Sequence, residues 1–187
     1  EGKITTSAIG SEFSVAHPFG SGKFATRIRL LNGTKRIDIQ TDLVNGEKLV
    51  RYQALFPTTI TKGNYFHEIP FGSVERPVGP ENAAQNWVDY GNADHGLTIL
   101  NHGMPGNVVN EGTMMLSMMR AHTVGGYGFD SGYEPGMVSD SGYMIGRKVR
   151  FNYSLIPHSG TWDKANPTSD GFAFNRPLFV RKSESHA

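Results

Sequence analysis

Side chains able to do chemistry are spread thinly along this sequence. Two carboxyl groups held side by side can divide acid and base work between them. The candidate acids are Glu68, Glu75, Asp89, Asp94, Asp130, Asp140 and Asp163, and no spacing among them sets two against one cleft. Each reads as a solvated carboxylate in a turn or at a strand end, so no catalytic residue is assigned to this chain. The histidines are His17, His67, His95, His102, His122, His158 and His186. Only His95 and His102 resemble a metal pair, but seven residues of predicted strand turn them to opposite faces. No metal site is expected. The chain has no cysteine, which excludes disulfides, thiolate zinc sites and a cysteine nucleophile.

Two features remain. Met114, Met115, Met118 and Met119 in EGTMMLSMMRAHT (111–123) could offer thioethers to copper(I). With no histidine or cysteine ligand pattern beside them, packing explains them better. Arg120 closes the run with a planar fork of donors, suited to sugar hydroxyls or a carboxylate. Its plain alternative is a strand-end arginine in an ion pair.

The elements that would position Arg120 are short. The 23 glycines and 10 prolines fall along all 187 residues and leave few windows for a helix of ordinary length. FATRIRLLNGTKRIDIQTDL (24–43) alternates on both sides of Asn32-Gly33 and predicts a hairpin. LVRYQALF (49–56) is a strand closed by Pro57. YFHEIPFGSV (65–74) is another, with Pro70 demanding an edge or a bulge. NWVDYG (86–91), GLTILNHG (96–103), KVRFNYSLI (148–156) and NRPLFV (175–180) complete the set. The stretch 122–147, rich in Gly, Ser, Tyr and Asp, has no periodic pattern and reads as a long loop. The methionines have helical spacing, but Gly112 and the following loop leave about nine residues, short for an independent helix.

Strand signals recurring every ten residues or so predict an all-β chain, a single sandwich domain over 1–187. A formal charge of +1 with scattered basic residues argues against nucleic acid as a partner. No apolar run has the length of a membrane span. The start, EGKITTSAIG, lacks the profile of a signal peptide, and the compartment stays open.

Four phrases in order carry a resemblance: YFHEIPFGSVERP (65–77), NWVDYGNADHGLTILNHGMPG (86–106), MMLSMMRA (114–121) and FNYSLIPHSGTW (151–162). Together they resemble the C-terminal β region of the family 38 glycoside hydrolases, the α-mannosidases. The match runs from about Ile37 to Leu178. Family members often place a histidine where this chain has Val149, and the loop at 122–147 is longer than in short-loop members.

The resemblance implies a large antiparallel super-sandwich and a fragment of a longer chain. The parent would hydrolyse α-mannosides with retention, using an aspartate nucleophile and a zinc ion in an N-terminal barrel. This chain would hold no cofactor and be inactive alone, its partners being the α-mannoside and its own N-terminal catalytic domain. A homo-oligomeric parent and a mannosylglycerate-type substrate are both compatible.

The resemblance also makes the methionine run a strand. Met115, Ser117 and Met119 then share one face, and Met114, Leu116, Met118 and Arg120 the other. It directs Arg120 toward the sugar site, with His122, Tyr127 and Asp130 as neighbours. Arg76 would close a turn, and Pro157-His158 would be a structural turn. The competing reading is a free-standing carbohydrate-binding sandwich; the start without a methionine speaks for the fragment.

Overall fold

A computed structural model describes residues 1–122 and 144–181, together with the backbone of 125–128 and 132–138. The chain runs through β1 (Lys3–Ser7), β2 (Gly10–Phe19), β3 (Gly22–Leu31), β4 (Ile37–Val44) and β5 (Val50–Pro57). It continues with β6 (Asn64–Ile69), β7 (Gly72–Arg76), β8 (Asn82–Ala83), β9 (Trp87–Gly91), β10 (His95–Asn101) and β11 (Gly106–Asn110). Then come β12 (Thr113–Ala121), β13 (Gly125–Gly128), β14 (Gly132–Val138), β15 (Lys148–Ser159), α1 (Trp162–Ala165) and α2 (Pro167–Asn175).

Nine strands form one sheet in the order β1-β2-β3-β4-β15-β10-β9-β6-β7, and four form a second in the order β5-β12-β11-β8. Both sheets are antiparallel, so alternation decides which side chains enter the core. Ile39 and Leu43 of β4 and Phe151 and Tyr153 of β15 face the small sheet, meeting Tyr52, Met114, Leu116 and Val109. Each such side chain, fully buried, contributes about 1.5–3 kcal/mol. The buried hydroxyls of Thr41 and Tyr153 satisfy each other at 3.0 Å. Outward residues of the same strands pair across the ladder, as Arg150 does with Asp42 at 2.7 Å. The all-β expectation holds, and the methionine run is the strand β12.

Several local expectations are corrected. Residues 65–74 are a hairpin and not one strand: β6 and β7 pair antiparallel with Ile69 opposite Gly72. Pro70 and Phe71 form the turn, Phe71 at φ 67°. Proline's fixed φ suits the first central position, and its missing N–H is no loss there. The predicted strand at 175–180 does not form. Asn175 ends α2, and Leu178, Phe179 and Val180 lie exposed.

The helix has three supports that propensity does not show. Pro167 sits at its first turn, where no N–H is needed. Gly171 rests on Trp87, where a Cβ would come within 3.1 Å of the indole Cδ1. Asn175 then donates from Nδ2 to the Asn101 carbonyl at 2.9 Å. Part of the predicted loop at 122–147 is the paired strands β13 and β14. β1 and β2 carry no alternation strong enough to announce them.

Candidate functional site

Arg120 stands near the end of β12, which lies between β5 and β11. Before it, the strand alternates regularly, with Met114 and Leu116 fully buried. The register with β5 then slips: Ser117 faces Gln53, but Met119 faces Tyr52, leaving Met118 as an extra residue. This β-bulge reverses the parity. Beyond it Ala121 is buried, while Arg120 is exposed opposite Arg51. Arg120 therefore shares the outward face with Met115 and Ser117, not the face of Met114 and Leu116 that uninterrupted alternation predicts.

The outward face forms a cleft of about 380 Å³, lined by Arg51, Glu81, Asn82, Gly106, Ser117 and Arg120. The Arg51 guanidinium donates to the Glu81 carboxylate and to the Ser117 hydroxyl. Ser117 in turn donates to Glu81 at 2.6 Å and accepts from the Gln53 amide at 3.3 Å. Gly106 makes room for this network, because a Cβ there would lie 2.5 Å from Glu81 Oε1 and 3.1 Å from Ser117 Cβ. Two arginines directly opposite on neighbouring strands repel. Glu81 offsets one of them, and among the described lining residues no second carboxylate stands beside Arg120.

His122 follows half-buried. The backbone of Tyr127 lies in β13, in register with Tyr133. Asp130 lies outside the described residues. Arg120 is thus gathered with Arg51, Glu81 and Ser117, none of which stood out in the sequence. The outward parity of Arg51 and Gln53 was available in VRYQ, but the partner strand was not.

Five of the seven acids are described, and two of them contradict the expectation of solvated carboxylates. Asp89, 1% exposed, accepts from Thr98 Oγ1 at 2.5 Å and pairs with His158 Nε2 at 2.8 Å. Glu68, buried, accepts the backbone N–H of Asn86 at 2.7 Å. Both are committed to holding the sheet together. Buried carboxylates persist only with such partners. Glu75, Asp94 and Asp163 are exposed.

The bond to Asp89 raises the His158 pKa against the opposing effect of burial. His158 is within β15 opposite Gly96, so Pro157-His158 is not a turn. A Cβ on Gly96 would stand 2.6 Å from the imidazole Cε1. Arg76 ends β7 opposite Tyr65. Trp87 is fully buried and stacks on Trp162 with ring centroids 5.6 Å apart. Among the described residues, no group of three His, Asp or Glu side chains is arranged to hold a metal ion.

The two-sheet antiparallel sandwich matches a known class. The profile of the glycosyl hydrolases family 38 C-terminal domain matches residues 2–125. The chain belongs to this family. It is 27% identical over 177 residues to alpha-mannosidase G of Dictyostelium discoideum, covering 89% of this chain and 15% of that protein. It is 27% identical over 134 residues to alpha-mannosidase 2C1 of Mus musculus, covering 67% of this chain and 12% of that one. An alpha-mannosidase structure from Enterococcus faecalis superposes with a TM-score of 0.76 at 16% identity, over 92% of this chain and 24% of the other. That likeness shows the fold. The chain spans well under a quarter of the length of these two relatives.

Proposed function

We propose that this chain is the C-terminal β-sandwich of a retaining α-mannosidase. In this reading it packs on an N-terminal barrel that holds the aspartate nucleophile and the zinc ion, and completes one side of the sugar site. No step on this chain uses the zinc. The observation that carries the reading is the asymmetry of the two opposed arginines. Arg51 is neutralised by Glu81, whereas Arg120 has no hydrogen-bond or ion-pair partner among the described residues. A guanidinium left unpaired beside a second one is poised for oxygen acceptors brought by a ligand. Arg120 would donate to sugar hydroxyls and orient them, with His122, Tyr127 and Asp130 as its neighbours. Proton transfer and bond cleavage would fall to the barrel.

The test is Arg120→Ala in the full-length parent, assayed on a nitrophenyl α-mannoside. Hydrogen bonds from a charged donor contribute about 1.5–3 kcal/mol, so kcat/KM should fall roughly 10- to 150-fold. The melting temperature should stay within about 2 °C, because an exposed surface side chain alters stability by only about 0.5 kcal/mol. A variant that unfolds readily yet turns over normally per folded molecule would make Arg120 structural and end this reading. The isolated 187-residue chain should release no nitrophenol.

A further inference from the structure

The inner face of the nine-stranded sheet extends beyond the sheet that covers it. Ile4, Phe13, Ile28, Ile39 and Tyr153 stand opposite one another in register across β1, β2, β3, β4 and β15. Tyr153 and Ile39 are buried and Ile28 is half-buried, but Phe13 is 36% exposed and Ile4 is 72% exposed. Leu30, beside this row, is 47% exposed. The opposite face of β3 carries Lys23, Arg27 and Arg29, so the strand is patterned for water on one side only. Its inner side is patterned for a core that these residues do not complete.

Two further observations fall beside this row, which shares Tyr153 with an adjoining groove. Among the described residues β5 is the margin of the small sheet, paired with β12 alone, and an edge of this kind offers a row of N–H and C=O groups for pairing. Between that edge and β3 runs a groove of about 550 Å³, with Phe19, Phe24, Leu43, Tyr52, Ala54 and Tyr153 among its lining residues. An apolar patch of this kind marks an interaction surface.

We infer that this groove receives an extended segment from the rest of the parent polypeptide. The segment hydrogen-bonds along β5, continues the small sheet, and lays its apolar side chains over β1 to β3. The source follows from the relatives. The matched region is only 12–16% of their chains, and a tethered segment docks at high effective concentration. The inference does not use Arg120 and is separable from the proposed sugar contact.

The chain has no cysteine, so single cysteines report accessibility directly. Leu30→Cys and Ile4→Cys sample the inner face, and Arg27→Cys samples the outer face of β3. Each would be placed in the isolated chain and in the full-length polypeptide and reacted with a maleimide. Both inner-face cysteines should react at least about ten-fold more slowly in the full-length protein, with Arg27→Cys unchanged. Equal rates in the two contexts would overturn the inference. Protection already present in the isolated chain, with a dimer mass by light scattering, would overturn it in favour of a second copy. Two inner-face positions guard against one substitution disturbing the fold.

Discussion

Lowering the pH should destabilise this domain through one residue, His67. Its side chain is fully buried, edge-on to Tyr65 with ring centroids 4.2 Å apart. Burial pulls its pKa down from 6.5 to about 4, opposed by the Ala83 backbone and assisted by the Arg76 charge. Above pH 6.5 the imidazole is neutral in both folded and unfolded chains. As pH falls from 6.5 towards 4, the unfolded chain takes up a proton that the folded one refuses, so stability is lost across that window. A separation of about 2.5 at 1.36 kcal/mol each gives a loss of about 3 kcal/mol by pH 4. For a domain of this size that is a fall in melting temperature of roughly 6–12 °C.

Two other shifted groups act outside this window. His158 has a raised pKa, so its contribution is complete below 6.5 and lost as pH rises through the folded value. Asp42, held low chiefly by its bond from Arg150, contributes above 3.8 and loses that contribution only below it. Thermal unfolding of the wild type and of His67→Leu at pH 4, 5 and 6.5 isolates the effect. The variant removes the titrating group, and the slope should disappear with it. An unchanged slope would refute the reasoning.

Gly106→Ala should displace Glu81, whose carboxylate occupies the space of the new Cβ. Because Glu81 is flexible and exposed, the stability cost should be about 1 kcal/mol by denaturant unfolding, while kcat/KM of the parent falls. Gly96→Ala meets the His158 ring at 2.6 Å and the Gly91 backbone at 3.1 Å. With backbone on one side it should cost about 1–3 kcal/mol, and equal stability in a melt would contradict that packing. Phe71→Gly should stabilise the isolated domain by up to about 2.5 kcal/mol. It relieves roughly 1–3 kcal/mol of left-handed strain against an entropic cost of about 0.5–1 kcal/mol, the Phe71 side chain being fully exposed, and a lowered melting temperature would refute the strain.

Strands β4, β5 and β15 were legible because each has a single buried face, so hydrophobicity with period two reports the tertiary environment directly. The helix over 167–175 was not, since its anchor is the flat surface of Trp87, eighty residues earlier. Nor was the burial of Asp89, whose two partners arrive from β10 and β15. A carboxylate reads as solvated until something distant supplies the donors. The Arg51–Glu81–Ser117 network has the same character, assembling three segments that only the small sheet brings together.

Arg120 divides the two kinds of information most clearly. Sequence alone determined its chemistry, a guanidinium at the end of a short apolar run, and the resemblance made that run a strand. Its direction depended on a bulge at Met118, and a bulge is a relation between two strands. Whether β12 carries one residue more than β5 between successive pairings cannot be counted along β12 alone. Tertiary structure made that count, and turned Arg120 out of the core and into the cleft.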